Sequence, residues 1–524
     1  MGPASTRTRS RRTRGRPRDD DADHLLVRTV ECLDGDVEVE LVCEPVVRLR
    51  ARGADVDARW TAIGMRPTRR GGADASASDP ISRSGSRAAA CGHGTSCMRA
   101  TEAYCALSWA EGLRRPEDVG DAEARLAATV RFWRAWLGRA RIPDHRWRDP
   151  IQRSALAIKG LTYMPTGATV AALTTSLPET PGGERNWDYR YTWMRDTTFT
   201  LQALHYLNLD WEADEFMQFV ADVEPNEDGS LQIMYGIDGR RDLTESTRDD
   251  LSGYAGARPV RIGNGAFDQR QNDVYGAVLD SILLHTRQER AAAAPALADR
   301  PSRRRSARPQ VWQNPTRASG RRAARRSTTC RRSSCAGSRW TGRPSSPRSG
   351  AIPSCRRRGA RRPRRSARTS SSTASSDRGV LRQHYATDSL DASTLLAAIF
   401  GFLPGDDERL RSTVLAIADE LTEDGFVLRY RTEETDDGSP GEEGTFLICS
   451  FWLVSALAIV GEQQRARDLM ERLLRIASPL GLYAEEFDVE TGRHLGNFPQ
   501  AFSHLALVEA AGRIILAERL EEIS

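Results

Sequence analysis

Lysine is almost absent. The 524-residue chain carries 76 Lys+Arg, and Lys159 is its one lysine, a bias that points to arginine-favouring, GC-rich codons. Long apolar runs are also missing: none reaches the roughly 18 residues that a membrane span needs, so no membrane partner is expected. Paired cysteine spacings are missing as well. Of the nine Cys, five (Cys91, Cys97, Cys330, Cys335, Cys355) lie in Arg/Ser/Gly-rich stretches and the other four are scattered, with no C-x-x-C. This argues for reduced thiols, against a disulfide framework and against a zinc site. The N-terminal RTRSRRTRGR lacks the apolar core of a secretory signal. A cytoplasmic protein without metal or cofactor is expected.

Acidic residues are missing from one block. Residues 301–376 hold 22 Arg and no Asp or Glu. Elsewhere 54 Lys+Arg face 71 Asp+Glu, so the formal charge of +5 hides a mostly acidic protein. The block is either a disordered basic insertion that binds nucleic acid through phosphates, or ordinary coding sequence translated out of frame. With few apolar residues and a large like-charge excess, 316–376 cannot offset their ordering entropy, and no packed helices are expected there.

At this length two or three domains fit. Residues 1–22 are polar and Arg-rich, and are expected to be disordered or artefactual. His24 to Val47 alternates apolar and polar around a D-G turn at 34–35, which predicts a β-hairpin with one buried face. Residues 48–100 lose periodicity, and AYCALSW (103–109) again suggests a strand. In 121–140 Leu126, Val130, Phe132, Trp133 and Leu137 fall near helical spacing. Trp147 and Arg148 could mimic a ligand site, but packing at a domain boundary is the expectation. A helical stretch at 154–164, a helical hairpin at 201–207 and 212–223, a loop running into a helix at 263–287, and helical stretches at 391–403, 409–422, 445–461, 465–478 and 501–515 then follow. Paired helices with long aromatic- and carboxylate-bearing loops suggest an (α/α)6 barrel, with the function on the loops.

The stretch from Asn186 to Leu201, NWDYRYTWMRDTTFTL, packs four aromatics, two Arg and two Asp into its first eleven residues. Aromatic faces stack on sugar rings, and Arg/Asp pairs grip hydroxyls; an aromatic loop that plugs a core is the plainer alternative. Together with LQIMYGIDG (231–239) and GLYAEEFD…GNFPQAFSHLAL (481–507), in this order, it resembles glycoside hydrolase family 15, which holds bacterial glucoamylases and trehalases. The resemblance implies an all-α (α/α)6 barrel catalytic domain at 143–515, preceded by a truncated β-sandwich domain at 23–115 and a linker helix at 116–142. Family members usually carry more sandwich, so Met1 is expected to be an internal methionine of a truncated chain.

The implied activity is inverting, exo-acting hydrolysis of an α-glucoside, either trehalose or maltooligosaccharides. Inversion uses two carboxyl groups on opposite faces of the bond, about 6.5–9.5 Å apart. By the resemblance Glu485, in LYAEEF, matches the general base. Glu486 is the runner-up and orients Glu485 or a sugar hydroxyl; a solvated Glu pair in a turn is the alternative. Arg195 and Asp196 match the pair that holds the non-reducing glucose, against a structural ion pair. Tyr191 and Trp193 are sugar-stacking walls or core. Tyr235, Gln271 and Asp273 lie in segments resembling active-site loops, and Phe267 stands where the family often has Trp. Asp388 and Asp391 face the site or cap the helix at 391.

The general acid is unknown, because its position falls at Gly320-Arg321 inside the Arg-rich block. Residues 316–321 can be encoded ACC AGG GCA TCT GGG AGG. Started one base earlier, at the last base of a CCG codon for Pro315, the same bases give D-Q-G-I-W-E, and in the family G-I-W-E carries the acid. The same offset turns 331–346 into an amphipathic helix and 82–97 into strand-like alternation. Residues 296–376 and 48–100 are therefore expected to be mostly out of frame. Glu442 and Glu443 are the nearest substitutes, more suited to helix-start electrostatics or substrate contact. Two further classes stay open: a non-catalytic carbohydrate-binding relic, and an Arg-rich nucleic-acid binder. The expected partner is an α-glucoside, not nucleic acid; oligomeric state is open.

Overall fold

The computed structural model describes residues 25–31, 37–43, 61–63, 91–97, 102–108, 116–287, 375–376, 378–384, 387–435 and 443–523. Glu442, residues 1–22, most of 48–100 and nearly all of 296–376 lie outside the described residues, and with them the expectations made there. The chain divides into two compact units, Met1–Gly138 and Arg139–Ser524.

In the first unit β1 (Leu25–Glu31), β2 (Val37–Cys43), β3 (Thr61–Ile63), β4 (Cys91–Cys97) and β5 (Glu102–Ser108) form two small sheets, ordered β1-β5-β3 and β2-β4. The expected hairpin between β1 and β2 is therefore corrected. β1 runs antiparallel to β5, with Leu25 opposite Ser108. Alternation fixes which face of a strand is buried, not which strand becomes its partner. Here Tyr104 and Ala106 of β5 give Leu25 and Val27 an apolar face. β3 and β4 arise where periodicity was absent, since ladder hydrogen bonds use only backbone groups.

Helix α1 (Val119–Leu137) starts at Asp118, whose carboxylate accepts the Asp121 N–H at 2.8 Å. Val119 and Ala122 pack on Tyr104 and Ala106, so the first turn of the expected linker helix lies on β5. Its anticipated apolar stripe is turned outward at Leu126 and Val130, while Trp136 is buried.

The second unit is helical: α2 (Arg148–Gly160), α3 (Thr197–Tyr206), α4 (Asp210–Asp222), α5 (Asp273–Arg287), α6 (Leu396–Ile399), α7 (Glu408–Glu420), α8 (Leu447–Ile459), α9 (Gln463–Arg475) and α10 (Ala501–Ile523). α8 is apolar all round and buried from Leu447 to Leu457, which makes it an interior helix. α9 is its opposite. Only Ala466, Leu469, Met470 and Leu473 are buried, at i, i+3, i+4 and i+7, so it lies outside α8 with a charged outer face. Phe199 of α3 stacks on Trp452 of α8 at 5.9 Å and meets Phe502 of α10 edge-on at 5.2 Å, tying three inner helices together. Alternating inner and outer helices fit an (α/α)6 barrel. Trp147 packs as expected: it is buried and donates its ring N–H to Glu471 of α9 at 2.7 Å. Among the described residues no helix is long and apolar enough to cross a membrane.

Candidate active site

Asp188 is the hub of the sugar-loop motif. It is fully buried and accepts hydrogen bonds from the Arg190 guanidinium (2.7 and 2.8 Å), the Tyr191 hydroxyl (3.3 Å) and the Gly263 N–H (3.1 Å). The loop before it folds back, with Ser176 N–H donating to the Trp187 carbonyl and Glu179 N–H to that of Arg185. After Asp188 the chain enters β6 (Thr192–Trp193), paired with β7 (Met234–Tyr235), and turns through Met194–Asp196 into α3.

Glu485 lies just before a second small sheet, β8 (Thr445–Phe446), β9 (Glu486–Asp488) and β10 (Arg493–Leu495), ordered β8-β9-β10. The Leu447 N–H holds its carbonyl at 3.0 Å. One carboxylate oxygen, Oε1, accepts the Tyr189 hydroxyl at 3.0 Å, while Oε2 is buried and accepts nothing from the protein. Burial lifts the carboxyl from its ordinary 4.5 to about 7, against the pull of Arg429, the Tyr189 hydrogen bond and Arg195. The Tyr189 phenol keeps its proton, since burial and Glu485 both push its ionisation well above the usual range. Replacing the phenol would remove a hydrogen bond to the charged form, worth about 1.5–3 kcal/mol, or roughly one to two pH units. Tyr189→Phe is therefore expected to move the acidic limb of kcat/KM upward by about one unit or more. An unmoved limb would show that the hydroxyl does not support the ionised base.

Glu486 is fully buried and accepts the Gly444 N–H at 2.8 Å through Oε2. Glu179 joins these two: one oxygen of each glutamate lies within 4.8 Å of the others. Gly496 makes the approach possible. It adopts φ 78°, donates its N–H to the Pro178 carbonyl at 2.7 Å, and a Cβ there would stand 3.3 Å from Glu485 Cβ and 3.9 Å from Glu179 Cγ. Behind them Glu443 is spent on structure. It is paired with Arg185 at 2.5 Å and with Arg429, and it also meets the Tyr430 hydroxyl. A carboxylate clamped by two guanidiniums is an anchor, not a proton donor. The three-glutamate spacing is also that of a cation site, and one oxygen each of Glu485 and Glu486 accepts no hydrogen bond from the protein.

Of the other expected residues, the structure brings Arg195 close enough to Glu485 to lower its pKa. Arg195 bonds Asp196 at 3.2 Å, and its guanidinium lies over Trp193 at 5.1 Å and Phe502 at 5.8 Å. Trp193 faces Tyr189 edge-on at 6.4 Å, so it borders the same corner. Gln271 and Asp273 are buried at the start of α5, which packs on the Met194–Asp196 turn. Tyr191 and Tyr235 do structural work: Tyr191 holds Asp188, and Tyr235, fully buried, donates to the Glu224 carbonyl at 3.1 Å. Phe267 is half-buried in the Gly265–Asp268 turn. Asp391 caps the turn after it, accepting the Ser393 N–H at 2.8 Å, and Asp388 is exposed and paired with Arg382. Sequence reasoning missed Glu179, Arg185, Arg429 and the bond from Tyr189. Tyr189 lay inside the motif, but only as one of its aromatics.

The geometry bears on the acid. Glu179 and Glu486 stand too near Glu485 for the opposite-face partner of an inverting pair, which needs about 6.5–9.5 Å. With Glu443 anchored, no described residue that we singled out stands as the acid.

Comparison with known proteins places this site. The model of glycosyl hydrolases family 15 matches residues 146–304 and 355–512, and the interruption falls inside the Arg-rich block. A trehalase of Mycolicibacterium smegmatis is 46% identical over 537 residues, covering 98% of this chain and 77% of that protein. A trehalase of Thermoplasma acidophilum is 35% identical, covering 79% and 71%. Two solved structures share the fold. One is a wild-type glycosidase (TM-score 0.54, 18% identity, 70% of this chain and 96% of that one), the other a bacterial glucoamylase complexed with acarbose (TM-score 0.56, 12% identity, 83% and 67%). With its family model matched on both sides of the block and trehalases at this identity, the chain belongs to glycosyl hydrolases family 15 and is of the glycoside hydrolase type.

Proposed function

We propose that this chain derives from an inverting, exo-acting hydrolase that releases glucose from trehalose or maltooligosaccharides, with Glu485 as general base. The observation that carries this is the Glu485 carboxyl, buried, oriented by Tyr189 and with Oε2 free to take a proton from water. Arg195 and Asp196 hold the non-reducing glucose, and Trp193 forms a wall; Gln271 and Asp273 support that loop. Tyr191 and Tyr235 act on substrate only through the loops they brace. The relatives named trehalase favour trehalose. No metal, cofactor, nucleic acid or membrane enters this reading, and the scattered cysteines support a cytoplasmic setting. We assign 143–515 to the barrel, 116–142 to the connecting helix and 23–115 to a truncated sandwich.

The general acid belongs to the out-of-frame stretch, so the chain as written is expected to lack it. The interrupted family match over the Arg-rich block supports this. The coding DNA should carry insertions or deletions near codons 48–100 and 296–376. Sequence reads with an intact frame, whose codons do not encode G-I-W-E one base over, would overturn it.

Stereochemistry tests the reaction itself. Direct attack by water on an α-glucoside gives β-glucose first. With trehalose the attacked ring should appear as β-glucose while the departing ring keeps its α configuration, so proton NMR of the frame-restored enzyme should show the two anomers in equal amounts ahead of mutarotation. Early α-glucose alone would mean retention, and would remove Glu485 from the role of base.

A further inference from the structure

One ionised carboxylate is all that water activation requires, yet three glutamates share this corner. Glu179 is 4% exposed, Glu485 9% and Glu486 0%. Carboxylates this close and this dry do not all ionise. The surroundings sort them. Glu485 has the Tyr189 hydroxyl and the fields of Arg429 and Arg195. Glu486 accepts the Gly444 N–H, yet burial and then Glu179, Glu443 and Glu485 also hold its proton well above the usual carboxylate range. The guanidiniums nearest Glu179, those of Arg185 and Arg429, are already bound to Glu443.

Glu179 is also fixed in place by backbone. Its N–H donates to the Arg185 carbonyl at 3.2 Å, Gly183 closes the turn on Thr180 at 2.9 Å, and the neighbouring Pro178 carbonyl is held by Gly496. Gly496 is the residue that fits between Glu179 and Glu485, so the chain keeps the two carboxyls adjacent instead of separating them.

We propose that Glu179 is a positioning residue for hydrolysis: it keeps a proton on its own carboxyl beside Glu486, so that Glu485 is the anion left to face water. This rests on the reading of Glu485 as the base. Burial, then Glu485 and Glu443, hold the Glu179 proton well above the usual carboxylate range, while Glu485 ionises near 7. Loss of the Glu179 proton at alkaline pH sets two anions side by side and displaces Glu485. Glutamine keeps the shape and a donor but cannot ionise.

The experiment compares the full-length wild type, Glu179→Gln, Glu179→Ala and Glu485→Gln. The infrared band of protonated carboxyl groups is recorded at neutral pH. The pH profile of kcat/KM is taken with α-glucosyl fluoride. The proposal expects the protonated-carboxyl band to lose one group in Glu179→Gln, while Glu486, which burial and its glutamate neighbours also hold well above the usual range, and the un-ionised share of Glu485 keep the rest. It expects Glu179→Gln to keep most turnover with its alkaline limb moved up, and Glu179→Ala to lose about 10–100-fold in kcat, the scale for a lost supporting group. A spectrum unchanged in Glu179→Gln would show that Glu179 is ionised and overturn the proposal. Equal losses in Gln and Ala with unmoved limbs would make the residue merely structural and overturn it too. Full turnover in Glu485→Gln would instead sink the assignment of the base, and the infrared band would still decide where the proton resides.

Discussion

In the frame-restored enzyme Glu485→Gln is expected to abolish glucoside hydrolysis, a loss of about 10²–10⁴-fold from this one contribution. The amide has nearly the shape of the carboxylate and can still accept the Tyr189 hydroxyl, so the corner should stay packed. What it lacks is a basic oxygen. The carboxylate Oε2, which is buried and accepts no hydrogen bond from the protein, is the atom we assign to take a proton from water. Because burial raises Glu485 to about 7, the wild type carries its own signature of this step. A raised carboxyl pKa means that the base is ionised above about 7 and protonated below it. Activity should therefore fall on the acid side, about tenfold per pH unit below that value. Turnover near the wild-type rate in Glu485→Gln, or an acid limb near the ordinary 4.5, would refute the role.

The helices were the legible part of the fold. α9 shows its buried positions at helical spacing, and α8 is apolar all round, so inner and outer helices can be told apart from residue pattern alone. The strands were less legible. β1 has the alternation of a strand, but its partner β5 lies beyond a long intervening stretch, and nearest-neighbour logic chose β2 instead. In α1 the stripe through Leu126 and Val130 suggested the wrong buried face, because Val119 and Ala122, at its very start, make the contact with β5.

The site shows the same division. Arg195, Trp193 and Glu485 stand in recognisable segments, and the structure gathers them at one corner. Tyr235 has the same aromatic character, yet its hydroxyl is bound to a carbonyl of its own loop. Residue type cannot distinguish a phenol that faces a base from one that braces a turn. Glu179 was invisible for another reason. It reaches Glu485 only because Pro178 and Gly496, far apart in the chain, are joined by a backbone hydrogen bond. Long-range closure of this kind leaves no local pattern.

The size of the catalytic defect should depend on the leaving group. In an inverting hydrolase the acid protonates the departing oxygen, which matters most when an alkoxide must leave, and it contributes about 10²–10⁴-fold. Fluoride departs without that proton. Hydrolysis of α-glucosyl fluoride then draws on the base, the water and the grip on the glucose. The residues we assign to the base and the grip stand at one corner of this chain: Glu485 with Tyr189, and Arg195 with Asp196 beside Trp193. Glu443, the nearest alternative donor, is tied up in ion pairs with Arg185 and Arg429. The folded, monodisperse chain should therefore release fluoride measurably, lose that activity on Glu485→Gln, and leave trehalose and maltose untouched. Equal rates on trehalose and on the fluoride would mean that a general acid is present after all. Glucose binding without turnover of either substrate would make the chain a carbohydrate-binding relic. Restoring the frame across 296–376 should return trehalose hydrolysis while changing fluoride release far less, since only the first reaction waits for the acid.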